Sequence, residues 1–466
     1  MNTHWLHNII DTVAERGREL LGLDKGDIGK QDLPALCRQL LAGEGEASGI
    51  ALSQEILRRY AAMNKDDKLA FFQLLAQDFA PDLEKILAAV KDYQHAQTAA
   101  NLIRLNAAVE PPRQELFRRL NMAPQGTANL VAMRADLLGQ LREHAALKSV
   151  DADLKHLLSS WFNRGFLQLR DISWTSPAHI LEKIINYEAV HAIQGWPDLR
   201  RRLMQDRRCF AFFHPAMPDE PLIFIEVAFV QGLSSEIHPL IDPDAPVLDP
   251  KQADTAIFYS INNTQRGLRG ISFGNFLIKQ VLTDLARQLP WIKLSSTLSP
   301  VPSFAAALNE WLDGSDAPAA SREFTEILGR HRDTLTQLAT QYGLEPSLPE
   351  RALFKTLLED YPAAPSAAMS TILGELVLLH LTTPAPNGKL PDPVAMFHLA
   401  NGARLERINT QADMSAHGIA TSYGVMVNYL YDLNTVEINH EAFVTQGRIM
   451  LSDALSKQRK QLGKEK

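Results

Sequence analysis

The stretch Thr255–Pro302 constrains the fold more than any other part of this chain. An apolar segment of strand character, TAIFYSI, runs into a turn rich in glycine and arginine. A helix pattern follows, and a second apolar segment ends in Ser295, Ser296, Thr297 and Ser299. Free N–H groups at a helix start point outward and attract anions. A strand, a basic glycine turn and a helix therefore make an anion cradle. The hydroxyl cluster at the end of the next strand suits the reactive end of the same ligand. This layout points to an enzyme for a phosphate-bearing substrate.

The segments around it set the fold class. The chain has 466 residues and is 45% hydrophobic, enough for roughly two to four domains. Residues 1 to about 165 read as helical throughout, with a break expected at Asn64 and Asp66. A helix is expected to start at Pro81 and to carry Leu83, Ile86, Leu87 and Val90 on one side. The charges of the whole region 1–165 read as a solvated face, with a lid or assembly role for the region as the other possibility. The texture changes near Trp161. FLQLRDISW alternates, and SPAHILEKIINYEAVH reads as a short helix with Ser176 as cap and Pro177 in its first turn. RRCFAFF and PLIFIEVAFV read as strands. With TAIFYSI and WIKLSS they give a central sheet covered by helices. The helix after the glycine turn is expected to bury Phe273, Phe276, Leu277, Val281 and Leu285, or a subset, and to leave at Pro290. Residues from about 305 to 380 turn helical again, and 393–431 return to strand texture that should complete the sheet. The fold class is α/β: a helical bundle over 1–165, then a catalytic domain over 166–466 with helical insertions.

Charge and cysteine usage exclude several functions. A net charge of -7 argues against nucleic acid as the main ligand, although a local basic patch can still take an anionic group. Cys37 and Cys209 form no CxxC pair, so neither a disulfide framework nor a thiolate metal site is indicated. MNTHWLHNIIDTVAERGREL lacks the pattern of a secretion signal, and no window approaches the roughly 18 apolar residues of a membrane span. The basic tail SKQRKQLGKEK carries no Ser-Lys-Leu address. A soluble cytoplasmic protein with no membrane partner is expected.

Few residues stand out as chemical candidates. The loop NNTQRGLRG holds Arg266, Gly267, Arg269 and Gly270, where backbone can approach a ligand and guanidinium groups can fork onto phosphate. It is neither GxGxxG nor GxxxxGK[ST], and an ordinary strand-to-helix turn explains it as well. Pro300 restricts Ser299 to extended backbone, which suits a hydroxyl held toward a cleft and suits a plain turn equally. His398 lies before the Asn401-Gly402 turn, either as a proton donor titrating near neutrality or as a structural histidine. Tyr431 ends an aromatic strand, and its phenol can donate into a cleft or simply stay wet while the ring packs. Glu226 interrupts an apolar strand, either as a buried acid or as a partner of an arginine. The remaining histidines lack metal spacing and there is no HExxH.

Several long motifs in fixed order carry a resemblance. FYSINNTQRGLRGISFGNFLIKQV, LSSTLSPVP, PVAMFHLANGARLERIN and GVMVNYLYDLN resemble the malonyl-CoA decarboxylase family, strongly over about 165–445 and more weakly before it. The resemblance implies a helical N-terminal domain, an acetyltransferase-like catalytic domain, and assembly into oligomers, commonly tetramers. It implies conversion of malonyl-CoA to acetyl-CoA and carbon dioxide. The family's catalytic serine and histidine fall on Ser299 and His398, its second active-site serine on Ser260 and its late tyrosine on Tyr431. Its CoA loop falls on Arg269, Gly270, Ile271, Ser272, Phe273, Gly274 and Asn275. Animal members carry a glutamate where this chain has Ser272, and the loop lacks the Q/R-x-x-G-x-G/A spacing of acetyltransferases.

That chemistry asks for no cofactor beyond the CoA of substrate and product. The thioester carbonyl itself holds the enolate charge as carbon dioxide leaves. Hydroxyls and backbone donors suit enolate stabilisation in a dry site. On this reading His398 protonates carbon, and Ser299 holds the malonyl group and assists. A covalent acyl-serine needs a base and an orienting group that sequence does not place. An acyl-CoA N-acyltransferase and a non-enzymatic acyl-CoA-sensing assembly protein are the alternatives. Release of carbon dioxide without an amine separates the three.

Overall fold

The computed structural model describes residues 12–13, 15–16, 32–43, 45–271, 276–314, 318–361, 363 and 365–462. They fall into two compact units. The first comprises the described parts of Met1–Gln168 together with Phe212–Leu222 and Asn263–Phe273. The second comprises the remainder.

From residue 32 on, the first unit carries the α-helices α1 Leu33–Ala42, α2 Glu46–Ala61, α3 Lys65–Gln77, α4 Leu83–His95, α5 Ala99–Val109, α6 Pro112–Leu120, α7 Gly126–Leu138 and α8 Lys148–Trp161. Side-chain caps explain several starts. Asn64 Oδ1 accepts the amides of Asp66 and Asp67 at 2.9 Å, so the expected break is the N-cap of α3. The core draws on Leu36, Phe72, Leu116, Phe117, Leu130 and Leu154, each worth roughly 1.5–3 kcal/mol on burial. Helices α4 and α5 add nothing to that cluster. Pro81 does not open α4; Asp82 caps it through the amides of Glu84 and Lys85. Leu83 and Leu87 are 67% and 60% exposed, so the expected apolar face is real but uncovered.

The first unit also holds the described part of the glycine- and arginine-rich turn within Asn263–Phe273. Arg134 on α7 is 2% exposed and donates to the carbonyls of Gly267 at 2.6 Å and Arg269 at 3.0 Å. Asp151 pairs with the same guanidinium at 2.8 Å. A Cβ on Gly267 would lie 1.8 Å from the Val131 carbonyl oxygen, so no larger residue fits there.

The second unit carries an eight-stranded sheet: β1 Gln168–Ile172, β2 Arg207–Phe213, β3 Ile223–Val230, β4 Thr255–Asn263, β5 Leu294–Thr297, β6 Ser299–Pro300, β7 Arg404–Asn409 and β8 Met426–Tyr431. The order is β1-β2-β3-β4-β5-β8-β6, with β7 on β8. Its longer helices are α9 Ala178–Tyr187, α10 Trp196–Arg202, α11 Phe276–Gln288, α12 Phe304–Asp313, α13 Pro318–Arg330, α14 Arg332–Gln341, α15 Glu350–Asp360, α16 Ala367–Thr382, α17 Pro393–Ala400, α18 Ala416–Ser422, α19 Val436–Gln446 and α20 Asp453–Leu462. Strands β4 and β5 run parallel around α11, which buries Leu277, Ile278, Val281, Leu282 and Leu285; Phe273 lies outside the described residues.

Their pairing ends at Phe258 opposite Thr297, and Leu298 N–H still reaches the Phe258 carbonyl at 3.1 Å. Beyond that point β4 runs on to Asn263, while the chain at Ser299 pairs only with β8. Pro300 has no N–H to continue a ladder toward β4. The two strands part at the hydroxyl cluster.

Two expectations are corrected here. Residues 393–400 are helix, not strand: Asp392 caps α17 through the amides of Val394 and Ala395 at 2.9 and 2.8 Å, with Pro393 at the first position. The unbroken apolar run VAMF hides the helical period. Ser176 does not cap α9; its hydroxyl accepts the Ser173 amide instead. The Asn401-Gly402 turn holds. Gly402 has φ +84°, and a Cβ there would lie 1.9 Å from the Val436 carbonyl oxygen. Gly402→Ala should therefore destabilise the second unit by about 1–3 kcal/mol, seen as a lower urea midpoint by circular dichroism; an unchanged midpoint would contradict this packing.

Candidate active site

Alternation along the strands gathers the hydroxyls. In β5 and β6, Ser295, Thr297 and Ser299 share one face. Register puts Ser295 opposite Tyr431 and Ser299 opposite Val427, so Tyr429 and Tyr431 share it too. Helix α17 lowers His398 onto this face. Its Nε2 lies 3.1 Å from Ser299 Oγ and its Nδ1 2.9 Å from the Tyr431 hydroxyl. The Tyr429 ring stacks on the imidazole at 4.6 Å and 24°. Ser299, His398 and Tyr431 are all buried.

The tautomer follows from the network. Ser299 Oγ donates its one proton to Thr297 Oγ1 at 2.8 Å, and Thr297 Oγ1 also accepts the Tyr429 amide. The imidazole must then donate from Nε2 to Ser299, and its bare Nδ1 accepts the Tyr431 O–H. Burial alone drives His398 down from 6.5 to about 3 and pushes the Tyr431 phenol well up. This corrects the expectation of titration near neutrality: the ring is neutral at physiological pH because its charged form would sit in a dry site without an anion.

Ser260 stands apart from this group in its bonding. It lies on β4 with its hydroxyl 2.9 and 2.7 Å from the two Glu188 oxygens, and Asn262 Nδ2 donates to both Ser260 Oγ and Glu188. Glu188 also accepts the amides of Val190 and His191. Glu226 is both things expected of it: buried, and 2.9 Å from Arg202. Burial pushes its carboxyl up to about 8, against the pull of Arg202. Arg269 and Gly270 are exposed, and Ile271 is buried. Ser272, Phe273, Gly274 and Asn275 lie outside the described residues. Cys37 and Cys209 are free, buried thiols. Among the described residues no group of three or more His, Cys, Asp or Glu is placed to hold a metal ion.

Sequence reasoning missed Tyr429 and Glu188. The Tyr429-Leu430-Tyr431 alternation was a signal for the first, since it puts two rings on one face. Nothing local marked Glu188 as a partner of Ser260 and Asn262, which lie more than 70 residues away.

A model of the malonyl-CoA decarboxylase C-terminal domain matches residues 165–466, and one of the N-terminal domain matches 79–162. The chain belongs to the malonyl-CoA decarboxylase family. It is 33% identical over 462 residues to the mitochondrial malonyl-CoA decarboxylase of Anser anser anser, covering 95% of this chain and 89% of that one. Crystal structures of malonyl-CoA decarboxylase from Rhodopseudomonas palustris and Agrobacterium vitis are each 44% identical to it. They cover 91% and 92% of this chain and 98% and 100% of their own, with TM-scores of 0.80 and 0.81. The helical bundle followed by a mixed α/β domain is thus the family's architecture.

A neutral, buried His398 in this family member has two measurable consequences. Histidine-selective NMR should show its ring staying neutral from pH 8 down to pH 5; an inflection near 6.5 would contradict the assignment. Its folded pKa lies below the unfolded one, so the stability it contributes is whole above about 6.5 and is lost as pH falls toward 3. His398→Asn should flatten that acid limb in urea unfolding.

Proposed function

We propose that this chain converts malonyl-CoA to acetyl-CoA and carbon dioxide, with the Ser299–His398–Tyr431 chain supplying the proton. The observation that carries this reading is the direction of those hydrogen bonds. As the C–C bond breaks, its electron pair passes into the thioester as an enolate. The enolate carbon is a far stronger base than a neutral imidazole, so neutral His398 is acid enough; a neutral histidine acting beside a developing enolate has precedent. Carbon takes the Ser299 proton, Ser299 takes the Nε2 proton, and Tyr431 supplies Nδ1. One proton from water restores the set. Ser299 already donates to Thr297 and not to His398, which favours this noncovalent route over a nucleophilic serine. Ser260, held by Glu188, orients a polar group of the substrate beside the parted strands. An N-acyltransferase would need an acceptor amine, which this route does not.

The CoA end falls to Arg269–Asn275 on this reading. Arg266 and Arg269 are exposed and lack a carboxylate partner among the described residues. Arg134 holds the Gly267 and Arg269 carbonyls of that loop. Lys155 Nζ would lie 3.6 Å from a Cβ on Gly270, close enough to share that charge.

Self-association is the second part of the proposal. Helices α4 and α5 leave Leu83, Leu87, Leu102, Ile103 and Val109 exposed. Such a face on a helical hairpin wants a partner, and a second copy of the chain supplies one, on the way to a tetramer. No described helix is long and apolar enough to cross a membrane.

Carbon dioxide release from malonyl-CoA, with chelator and without amine, tests the reaction. His398→Asn and Ser299→Ala should each lower kcat by roughly 10²–10⁴-fold while CoA binding changes little; near-parent turnover in either folded variant would remove that residue from the proton path. Leu87→Asp with Ile103→Asp should reduce the mass in solution measured by light scattering, and an unchanged mass would exclude this face from assembly.

A further inference from the structure

The residue that opens α12 breaks a local rule. Ser303 occupies the N-cap position, where a serine hydroxyl ordinarily accepts an amide of its own helix. Here it makes no such cap. Its Oγ instead donates to Asp392 Oδ2 at 2.8 Å and lies 2.8 Å from His380 Nε2. The Ser303 amide points at the same Asp392 oxygen at 3.3 Å. The other oxygen of Asp392 caps α17. Asp392 is fully buried and His380 nearly so, packed against Phe304 and Trp311.

These contacts close a ring that includes the proton path. From Ser299 the chain passes Pro300, buried Val301 and Pro302 to Ser303, an arm stiffened by two fixed φ angles. Ser303 is bonded to Asp392. From Asp392 a short helix leads to His398, and His398 returns to Ser299. An eight-residue helix is marginal without its cap. The Asp392 carboxylate therefore does two things at once: it holds α17 in helical form and ties it to the serine arm.

We propose that Ser303, Asp392 and His380 form a clamp that sets the distance between Ser299 Oγ and His398 Nε2, and that all three are positioning residues for the proton transfer. The proposal rests on the reading of Ser299 and His398 given above. The Ser303 proton goes to Asp392, so His380 donates its Nε2–H to the serine lone pair and fixes the hydroxyl's direction. The arrangement is not a nucleophile triad, because the carboxylate bonds the serine and not the far nitrogen of the histidine.

Ser303→Ala removes the bridge and leaves the cap of α17. Ser303→Thr restores a hydroxyl. Asp392→Asn keeps a capping oxygen but turns an amide toward Ser303. The readouts are kcat and KM for malonyl-CoA, and the His398 Nε2–H resonance of the substrate-free protein. Ser303→Ala and Asp392→Asn should lower kcat roughly 10- to 100-fold with KM within about threefold, and should shift or broaden the His398 signal. The double variant should be no worse than Asp392→Asn alone, since both remove one bond. Ser303→Thr should recover most of kcat and the signal. If Asp392→Asn does not fold, the Ser303 pair decides. An unchanged His398 signal, or a rise in KM alone, overturns the clamp. If the parent releases no carbon dioxide while the signal still responds, the proposed reaction fails and the clamp stands.

Discussion

The site depends on keeping one imidazole uncharged in a dry place. A buried histidine has two ring nitrogens, and each left without a partner costs about 1–3 kcal/mol. His398 meets both demands with neutral hydroxyls, Ser299 on one side and Tyr431 on the other. That requirement dictates much of the second unit. The two hydroxyls must come from strands that both pair with or belong to β8, and the ring must arrive from a separate element above the sheet. Helix α17 is that element, and the Tyr429 ring beneath it limits the tilt of the imidazole plane.

The parting of β4 and β5 follows from the same arrangement. Ser299 must turn away from β4 to reach His398, and the Ser-Pro-Val-Pro run makes that departure cheap in hydrogen bonds, since neither proline has an N–H to leave unpaired. Where the strands part, Ser260 stands on β4 and Ser299 on β6, both backed by buried polar partners. Parallel β4 and β5, joined through α11, stay in register up to that point.

The legible parts were those with a local cause. The strand–turn–helix–strand unit was readable because its periodicity changes at a glycine turn, and Ser299, His398 and Tyr431, which the fold brings together, stood out because they sit in long motifs. The helix that carries His398 was not, because PVAMFHLA is apolar all round and its cap bond is a side-chain event. The exposure of the apolar side of α4 was not readable for a related reason. Periodicity tells which residues share a side, and it says nothing about whether anything covers them. The neutrality of His398 was invisible as well, since it comes from burial by Tyr429, Phe397 and Tyr431. Glu188 and Asp392 bond to residues roughly 70 to 90 positions away, beyond any pattern a window can hold.

The absence of charge among the side chains around His398 bears on the reaction proposed for it. Ser299, Thr297, Tyr429 and Tyr431 are hydroxyl groups, and His398 is neutral. A malonyl carboxylate brought here loses water and gains no cation from these five. Taking a carboxylate out of water without a partner is costly. As carbon dioxide leaves, the charge moves from that compact carboxylate onto the enolate, which is spread over carbon and the thioester oxygen. The surroundings then favour the second distribution over the first, and the Ser299 O–H has only to swing from Thr297 to meet it. A cation beside Ser299 would reverse this preference, because it would hold the carboxylate in its starting state.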